Sequence, residues 1–407
     1  MKNNILKYFL IILALGLFSC QQFKDITNVD KIQKISTTIK INAKAPSGIP
    51  HPQSYKIKLN NYTEGLEFIK ETNTTECDIS DIIPGIYSVT VSAEVSHNGF
   101  TYNFNGNLVN INIFNSEKKL DVSIEATKSG NIVFKEIFYS GSKTPKGGSY
   151  FRDQFYELYN NSNIIQYVDG LCIGLSEPSN ATANLPSWPG ENPNDYMYFA
   201  SIWQIPGTPN VDKKYPLNPG ESIIIAQMAD NHQRNGLNPK SPVNLITAEF
   251  ETLVKTTSLV LDNPAINMEI AFWPRTAPQW LTTVFGGAYG IFIPTLPINP
   301  LDFVNPINST KKAYKVDVSN IIDAVEMVDN ETKMKLKRLP ALLDAGASTV
   351  GATYCSKSVS RKIKETLTNG RIIFMDTNNS SEDFEAMDTP TIRRYNVKYP
   401  SWNTWAK

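Results

Sequence analysis

Single-residue alternation of apolar and polar side chains is the feature that most restricts the fold of this chain. The sequence Tyr-Lys-Ile-Lys-Leu at residues 55–59 is one example, and residues 87–91, 109–113 and 120–124 repeat the pattern. A period of two places successive side chains on opposite faces of a β-strand, so that one face is buried and the other is wet. Three turn-forming dipeptides punctuate this region: Pro84-Gly85, Asn98-Gly99 and Asn105-Gly106. The pattern therefore predicts a small antiparallel β-sandwich over residues 36–128.

The first twenty residues carry a targeting signal. A basic start at Lys2 is followed by an apolar run from Tyr8 to Phe18, a small residue and then Cys20. This order is typical of a bacterial lipoprotein signal peptide, which predicts removal of residues 1–19 and lipidation of Cys20. The apolar run is well short of the roughly 20 residues that a transmembrane helix needs. Residues 20–35 carry no period and are predicted to form a flexible tether.

A lysine and an acid, Lys24-Asp25, follow shortly after Cys20. This pair resembles the export signal of surface lipoproteins in Bacteroidetes, although that signal usually carries more than one acid. The resemblance implies a cell-envelope protein of the outer membrane that is exposed at the cell surface. The lipid on Cys20 would anchor it to the membrane.

Charge excludes one class of partner. The chain has 39 basic and 39 acidic residues, and without residues 1–19 it stays close to neutral. Nucleic-acid-binding proteins usually show a basic face or stripe. We therefore expect no nucleic-acid partner.

Two segments resemble known β-domains. The stretch Asp78–Ala93, with its Pro-Gly-Ile-Tyr-Ser-Val-Thr-Val core, resembles an edge of prealbumin-like and carboxypeptidase-regulatory-like domains, where it is structural. Beyond a hinge at Ser129-Gly130, several pieces resemble lamin-tail domains in the same order: Asn131–Gly141, Asp153–Ser162, Pro216–Ala226, Ser258–Asn263, Ile322–Glu326, Ser358–Arg361 and Asp376–Phe384. These resemblances imply an all-β fold with two Ig-like β-sandwich domains, the second being lamin-tail-like over residues 130–407.

The second domain is longer than a compact lamin-tail sandwich. The excess falls near residues 177–215 and 271–312, which we predict to be long loop insertions. Such loops are usually functional or disordered, and their aromatic content argues against disorder. Trp and Tyr supply large, rigid contact areas at binding sites. The candidate binding-surface residues are Trp188, Tyr196, Tyr198, Trp203, Trp273, Trp280 and Tyr289. The alternative is that these aromatics form a private core that covers an edge of the sandwich.

Catalytic motifs are lacking in the sequence. The three histidines, His51, His97 and His232, lie in turn-like or loop contexts, and no nucleophile elbow, zinc-protease or phosphate-loop motif is present. Asp153 and Glu157 are candidates for the carboxylate pair of a hydrolase, but in the lamin-tail pattern these positions are framework groups. We therefore expect no enzyme and no cofactor.

Metal and disulfide sites are not predicted either. Residues 230–235 cluster oxygen ligands, but their spacing fits a hydrogen-bonded turn better than a calcium loop. Cys77, Cys172 and Cys355 lie far apart in sequence, so no zinc site is expected and at most one pair of them can form a disulfide. We expect all three to be small buried residues.

The whole arrangement resembles a Bacteroidetes family of envelope lipoproteins of about 400 residues without assigned function. That resemblance implies a binding or assembly role beside an outer-membrane transport system, with an outer-membrane β-barrel or another envelope protein as partner. A glycan- or small-ligand-binding module is the alternative function, and a hydrolase built on Asp153 and Glu157 is the second alternative.

Overall fold

The computed structural model describes residues 32–116, 118–190, 192–274, 276–280 and 282–406. The predicted signal peptide, Cys20 and most of the predicted tether lie outside these residues. Strands dominate the described part, which confirms the all-β prediction. None of the helices described is both long and apolar enough to span a bilayer.

Seven strands form the N-terminal sheet. They are β1 (Ile35–Lys44), β2 (Tyr55–Asn61), β3 (Leu66–Thr72), β4 (Glu76–Ile82), β5 (Gly85–His97), β6 (Phe100–Ile113) and β7 (Lys119–Lys128). Their order in the sheet is β3-β2-β5-β6-β7-β1-β4. Neighbouring strands are antiparallel except for β1 and β7, which run parallel. The alternating apolar residues of β2, β5 and β7 meet in one buried core, as their period predicts.

Two details of β6 differ from the sequence prediction. Asn105-Gly106 lies inside the strand and is not a turn, because Gly106 passes so close to β7 that a Cβ would lie 2.0 Å from the main-chain oxygen of Ser123. The pairing with β5 also shifts register near Asn110, whose φ is 57°. This bulge breaks the alternation of residues 109–113 and leaves Val109 exposed.

Twenty-one further strands follow along the chain. They are β8 (Ile132–Phe138), β9 (Ser142–Lys143), β10 (Ser149–Tyr150), β11 (Phe155–Asn160), β12 (Gln166–Tyr167), β13 (Cys172–Ser176), β14 (Tyr196–Gln204), β15 (Pro216–Leu217), β16 (Ser222–Ala226), β17 (Phe250–Glu251), β18 (Ile266–Asn267), β19 (Glu269–Phe272), β20 (Ala288–Phe292), β21 (Phe303–Val304), β22 (Ala313–Asp317), β23 (Ile321–Val328), β24 (Ser348–Thr349), β25 (Ser358–Arg361), β26 (Ile363–Thr366), β27 (Ile372–Phe374) and β28 (Phe384–Met387). Short helical turns occur at Pro193–Asp195, Val318–Asn320, Glu331–Lys333, Ser380–Asp383, Arg394–Asn396 and Thr404–Ala406.

Two sheets of this part face each other as a β-sandwich. One has the order β18-β17-β16-β11-β8-β25-β28, and the other has the order β21-β22-β14-β13-β20-β23-β24 with β19 beside β14. The core between them draws on β8, β11 and β16 from the first sheet and on β13, β14, β20 and β23 from the second. The strands are short apolar runs rather than alternating ones, because further apolar clusters cover their outer faces.

The predicted insertions are loops only in part. Residues 177–215 contain β14 and residues 271–312 contain β20, and both strands lie inside the second sheet of the sandwich. A sequence pattern for loops fails here because both strands are buried on two faces and carry no alternation. The true loops are the segments on either side of these strands.

The two parts of the molecule are joined by a ladder of asparagines on the outer face of β6. The side-chain nitrogens of Asn103, Asn105 and Asn107 donate to the main-chain oxygens of residues 376, 377 and 345, over 2.8, 2.7 and 3.4 Å. Asn103 and Asn105 are buried, so these bonds are shielded from water. The sheet face that alternation leaves polar is therefore the face that binds the second part.

The predicted hinge at Ser129-Gly130 is also held in place. The Gly130 amide donates to the Asp376 carboxylate over 3.1 Å, and a Cβ on Gly130 would lie 2.3 Å from the main-chain oxygen of Ile322. Nearby, Lys56 and Lys58 both form ion pairs with Glu382, at 2.9 and 3.1 Å. These contacts restrict rotation about the link between the two parts.

Candidate functional site

Four of the seven candidate aromatics do not present a surface. Trp203 and Tyr289 have no exposed area, and Trp280 and Tyr198 keep no more than 5%. The prediction that Trp203, Trp280 and Tyr289 form a binding surface is wrong, because their side chains enter the core between the two sheets. These residues belong to the main core of the sandwich and not to a separate private core at one of its edges.

The buried indoles form one aromatic cluster. Trp203 packs edge-on against Trp273, with ring centres 4.8 Å apart, and Trp280 stacks on Tyr156 at 5.4 Å. Trp273 is only half-buried and closes the cluster towards solvent. Each such ring contributes a large apolar area to the core. These tryptophans therefore stabilise the fold and leave the surface role to the remaining candidates.

Trp188, Tyr196 and Tyr198 do come together. The ring of Trp188 lies flat on that of Tyr198, with centres 3.9 Å apart and planes 2° from parallel. Tyr196 and Tyr198 point to the same side of β14, and Lys315 on the neighbouring β22 holds its Nζ 3.6 Å from the Tyr196 ring centre. Trp188 and Tyr196 remain half-exposed. The result is an aromatic shelf with one cation on it.

The loop that carries Trp188 is fixed by bonds to the second insertion. The main-chain oxygen of Ser187 accepts the Ile307 amide over 2.8 Å. Glu177, at the start of the loop, pairs with Lys311 at 2.8 Å, and its amide donates to the Tyr198 oxygen. The two insertions are thus one structural unit in front of β14.

Two exposed aliphatic residues lie near the aromatic shelf along the backbone: Leu185 comes three residues before Trp188, and the amide of Ile307 binds the main chain of Ser187. Leu185 is 49% exposed and Ile307 is 56% exposed, one from each insertion. We call the set Leu185, Trp188, Tyr196 and Ile307, which is backed by the buried ring of Tyr198, the insertion surface. Isolated exposed apolar residues are common, but a group that includes Trp and Tyr is typical of interaction sites.

Leu185, Ile307 and Lys315 were missed by sequence reasoning, which weighed aromatic residues only. The Pro- and Asn-rich context of Leu185 and Ile307 was a usable signal, since an aliphatic residue in such a loop is rarely needed by a core. The second insertion also exposes Leu296 and Leu301 in the same kind of context.

Glu157 is a framework carboxylate, as the lamin-tail pattern implies. It is fully buried and forms an ion pair with Lys135 at 3.0 Å. The Ser222 hydroxyl and the Arg393 amide donate to its two oxygens over 2.7 and 3.0 Å. A hydrolytic carboxylate must reach a substrate, and this one cannot.

Asp153 is equally enclosed. The hydroxyls of Ser142 and Ser241 donate to one of its oxygens over 2.6 and 2.8 Å. Burial raises the pKa of Asp153 to about 6, and the two hydroxyls oppose this shift. With both carboxylates buried in hydrogen bonds, the structure contradicts a hydrolase built on Asp153 and Glu157.

Residues 230–235 form a hydrogen-bonded turn. Arg234 makes a forked contact with Asp230, with its closest nitrogen at 2.7 Å. His232 is fully buried; its Nε2 donates to the Met228 oxygen over 3.0 Å, and its Nδ1 accepts from the Tyr150 hydroxyl over 2.8 Å. Both ring nitrogens are therefore occupied.

Neither a metal centre nor a disulfide is found in the described part of the chain. No cluster of three or more acidic, histidine or cysteine side chains suited to a metal occurs there. Cys77, Cys172 and Cys355 are free thiols; the first two are buried and Cys355 is half-buried.

A family model and a solved structure are similar to this chain over much of its length. The model of the DUF4876 family, described as a protein of unknown function, matches residues 218–391. The crystal structure of a DUF4876 family protein from Bacteroides thetaiotaomicron VPI-5482 is 39% identical and has a TM-score of 0.65. The match covers 91% of this chain and 99% of that chain. No curated protein matches the chain.

Two adhesins give much weaker matches. A bacterial adhesin from Mobiluncus mulieris with intramolecular cross-links is 17% identical over 24% of this chain and 42% of that chain, with a TM-score of 0.15. A proposed adhesin from Bacteroides ovatus ATCC 8483 is 11% identical over 74% of this chain and 87% of that chain, with a TM-score of 0.18. These scores are too low to support an argument. The Bacteroides thetaiotaomicron relative, by its identity and coverage, confirms the resemblance to a Bacteroidetes family of unknown function, and the chain belongs to the DUF4876 family.

Proposed function

We propose that this chain is a non-enzymatic cell-envelope protein, tethered to the outer membrane by a lipid on Cys20, that binds a partner protein through the insertion surface. The observation that carries the proposal is the flat stack of Trp188 on Tyr198, together with exposed aliphatic residues on the two insertion loops that the Ser187–Ile307 bond joins. An outer-membrane protein is the partner class that such an anchor would bring within reach.

The chemistry of the insertion surface favours a protein partner. Trp and Tyr are enriched among the residues that dominate protein interfaces, and aliphatic neighbours exclude water around them. Leu185 and Ile307 provide such neighbours here, and Lys315 supplies a charged edge. The main-chain bond between Ser187 and Ile307 holds the surface in one shape before binding, which lowers the entropy cost of association.

Cross-linking in native membranes tests the proposal. The tagged chain is compared with the double variant Leu185→Asp and Ile307→Asp, which places two charges on the insertion surface. Ile164→Asp is the matched control, because Ile164 is 63% exposed on another loop and lies outside the insertions. We expect one outer-membrane protein to be recovered in stoichiometric amount with the native chain and the control, and at least about tenfold less with the double variant.

Two results would contradict the proposal. One is equal recovery of the same partner with the double variant, which would show that the insertion surface is not the contact. The other is recovery of no specific protein with the native chain. A separate variant, Cys20→Ser, tests the anchor: metabolic labelling with an alkyne fatty acid should mark the native chain and not the variant, and a native chain that stays unlabelled would disprove the tether.

A further inference from the structure

A groove runs between the N-terminal sheet and the second part of the molecule. Its volume is about 640 Å³, within the range of small-molecule sites, and it shares no residue with the insertion surface. The floor is the outer face of β2, β5 and β6, and the walls are the segments 331–337 and 345–349. Binding sites often lie at such junctions between two folded units.

The floor presents amide and hydroxyl groups in register. Thr90 on β5 lies opposite Asn107 on β6, and Ser88 lies opposite Asn60 on β2. All four residues line the groove. Because they sit on paired strands, their spacing is set by the sheet rather than by a mobile loop.

The walls are fixed by buried charges. Arg338 and Glu326 form a fully buried ion pair at 2.6 Å, and the amides of Arg338 and Leu339 also donate to Glu326. The segment 345–349 is held in place by Asp344, whose carboxylate accepts hydrogen bonds from the Gly346 amide and the Ser380 hydroxyl. The groove is therefore preorganised, which favours binding of a small ligand.

The charged side chains in the groove are largely paired already. Lys58 is held by Glu67 at 2.7 Å and by Glu382 at 3.1 Å. Lys337 donates to the Gly346 oxygen over 2.5 Å, and its charge is compensated by the Glu326 carboxylate at 3.7 Å. Outside these contacts the lining has Lys335 and Glu331, whose charges cancel. An ionic ligand would find no uncompensated counter-charge, whereas a neutral ligand with many hydroxyls would find matching amides and hydroxyls.

An aromatic ring completes the lining. Tyr62 follows β2 and is half-buried, and Lys335 holds its Nζ 5.6 Å from the ring centre. A tyrosine ring offers an apolar face to the C–H groups of a sugar, and the Tyr62 hydroxyl lies within hydrogen-bond reach of Ser88 on the floor. We propose that the groove binds a short neutral oligosaccharide, with Tyr62 against a sugar ring and Asn60, Ser88 and Thr90 as hydrogen-bond partners.

Calorimetric titration of the purified full chain tests this assignment. The probes are the neutral sugars maltotriose, cellotriose, mannotriose, xylotriose and chitotriose in its N-acetylated form, with trigalacturonic acid as an anionic probe. We expect at least one neutral trisaccharide to bind with a Kd below about 1 mM. Tyr62→Ala should weaken that binding at least about tenfold, and Thr90→Arg, which fills the groove, should abolish it.

Matched variants control for folding. Asn42→Arg places the same side chain on an exposed position of β1, and Tyr395→Ala removes an exposed tyrosine elsewhere. Both should bind as the native chain does. The assignment is overturned if none of the neutral sugars binds below about 10 mM, if only trigalacturonic acid binds, or if Thr90→Arg binds unchanged. Because Thr90→Arg leaves the insertion surface intact, it should still recover the partner protein.

Discussion

His232 makes the stability of this protein depend on pH in a direction and amount that the structure defines. Burial lowers the pKa of the imidazole to about 4, from 6.5 in an exposed chain, and the hydrogen bond to Met228 opposes this only in part. The unfolded chain therefore takes up the proton first on acidification. The stability that neutral His232 contributes is complete above pH 6.5 and is lost as the pH falls through 4. The difference between the pKa of 6.5 in the unfolded chain and the pKa of about 4 in the folded protein corresponds to about 3 kcal/mol in the free energy of unfolding, at about 1.4 kcal/mol for each pKa unit.

The variant His232→Gln isolates this effect. Glutamine keeps one donor and one acceptor but does not titrate. Asp230, Arg152 and Arg234 also act on the imidazole, and Asp153 acts on Tyr150, whose hydroxyl binds the ring. Asp153 acts in the opposite sense, because its raised pKa gives stability that is lost as the pH rises from about 4 through about 6. These groups remain in the variant, so the difference between the two proteins reports His232.

Urea unfolding of both full chains, followed by tryptophan fluorescence at several pH values from 7.5 to 4, measures the difference. The packing cost of the substitution is the same at every pH and cancels when the differences are compared. We expect the native chain to lose about 3 kcal/mol more than His232→Gln between pH 7 and pH 4. A difference that stays constant within about 1 kcal/mol would refute the reasoning, since it would mean that the folded protein accommodates the imidazolium.

Two other substitutions test the packing and the junction. Trp203→Ala should lower the free energy of unfolding by about 3–5 kcal/mol in urea titrations, because it opens a cavity in the core of the sandwich; a loss below about 1 kcal/mol would contradict its burial. Glu382→Lys replaces the ion-pair partner of Lys56 and Lys58 with a third cation, which should loosen the junction. Limited proteolysis should then cut the chain near residue 129 faster. The control Glu125→Lys, at an exposed ion pair on β7, should leave the cutting rate unchanged. Equal rates in the two charge variants would show that Glu382 does not hold the junction.

Alternation made the N-terminal sheet predictable. Where a strand has one wet face, as at residues 55–59, the sequence itself records the register. The sequence pattern failed at Asn105-Gly106, because an Asn-Gly pair looks the same in the sequence whether it forms a turn or allows two strands to approach closely. It failed again at β14, because a strand buried on both faces has no polar partner residues to mark it.

The candidate site was only partly predictable for a related reason. Aromatic side chains are enriched both in cores and in interfaces, so composition alone does not separate Trp203 from Trp188. Their positions in the fold separate them: the side chain of Trp203 on β14 points between the sheets, whereas Trp188 lies on a loop and stacks on Tyr198. The contacts that create the insertion surface join residues more than a hundred positions apart, as Ser187 and Ile307 show.

The rigid junction gives the proposed anchor a consequence for both proposed sites. Ile32, the first described residue, comes twelve positions after Cys20, and a fully extended chain of that length reaches about 40 Å. Because the asparagine ladder and Glu382 fix the second part against the N-terminal sheet, the insertion surface cannot swing away independently. A lipid on Cys20 would therefore keep the whole body, groove included, near the membrane. Partners of the insertion surface are then expected among membrane proteins rather than among proteins free in solution, and loosening the junction with Glu382→Lys should weaken their recovery even though the insertion surface is unchanged.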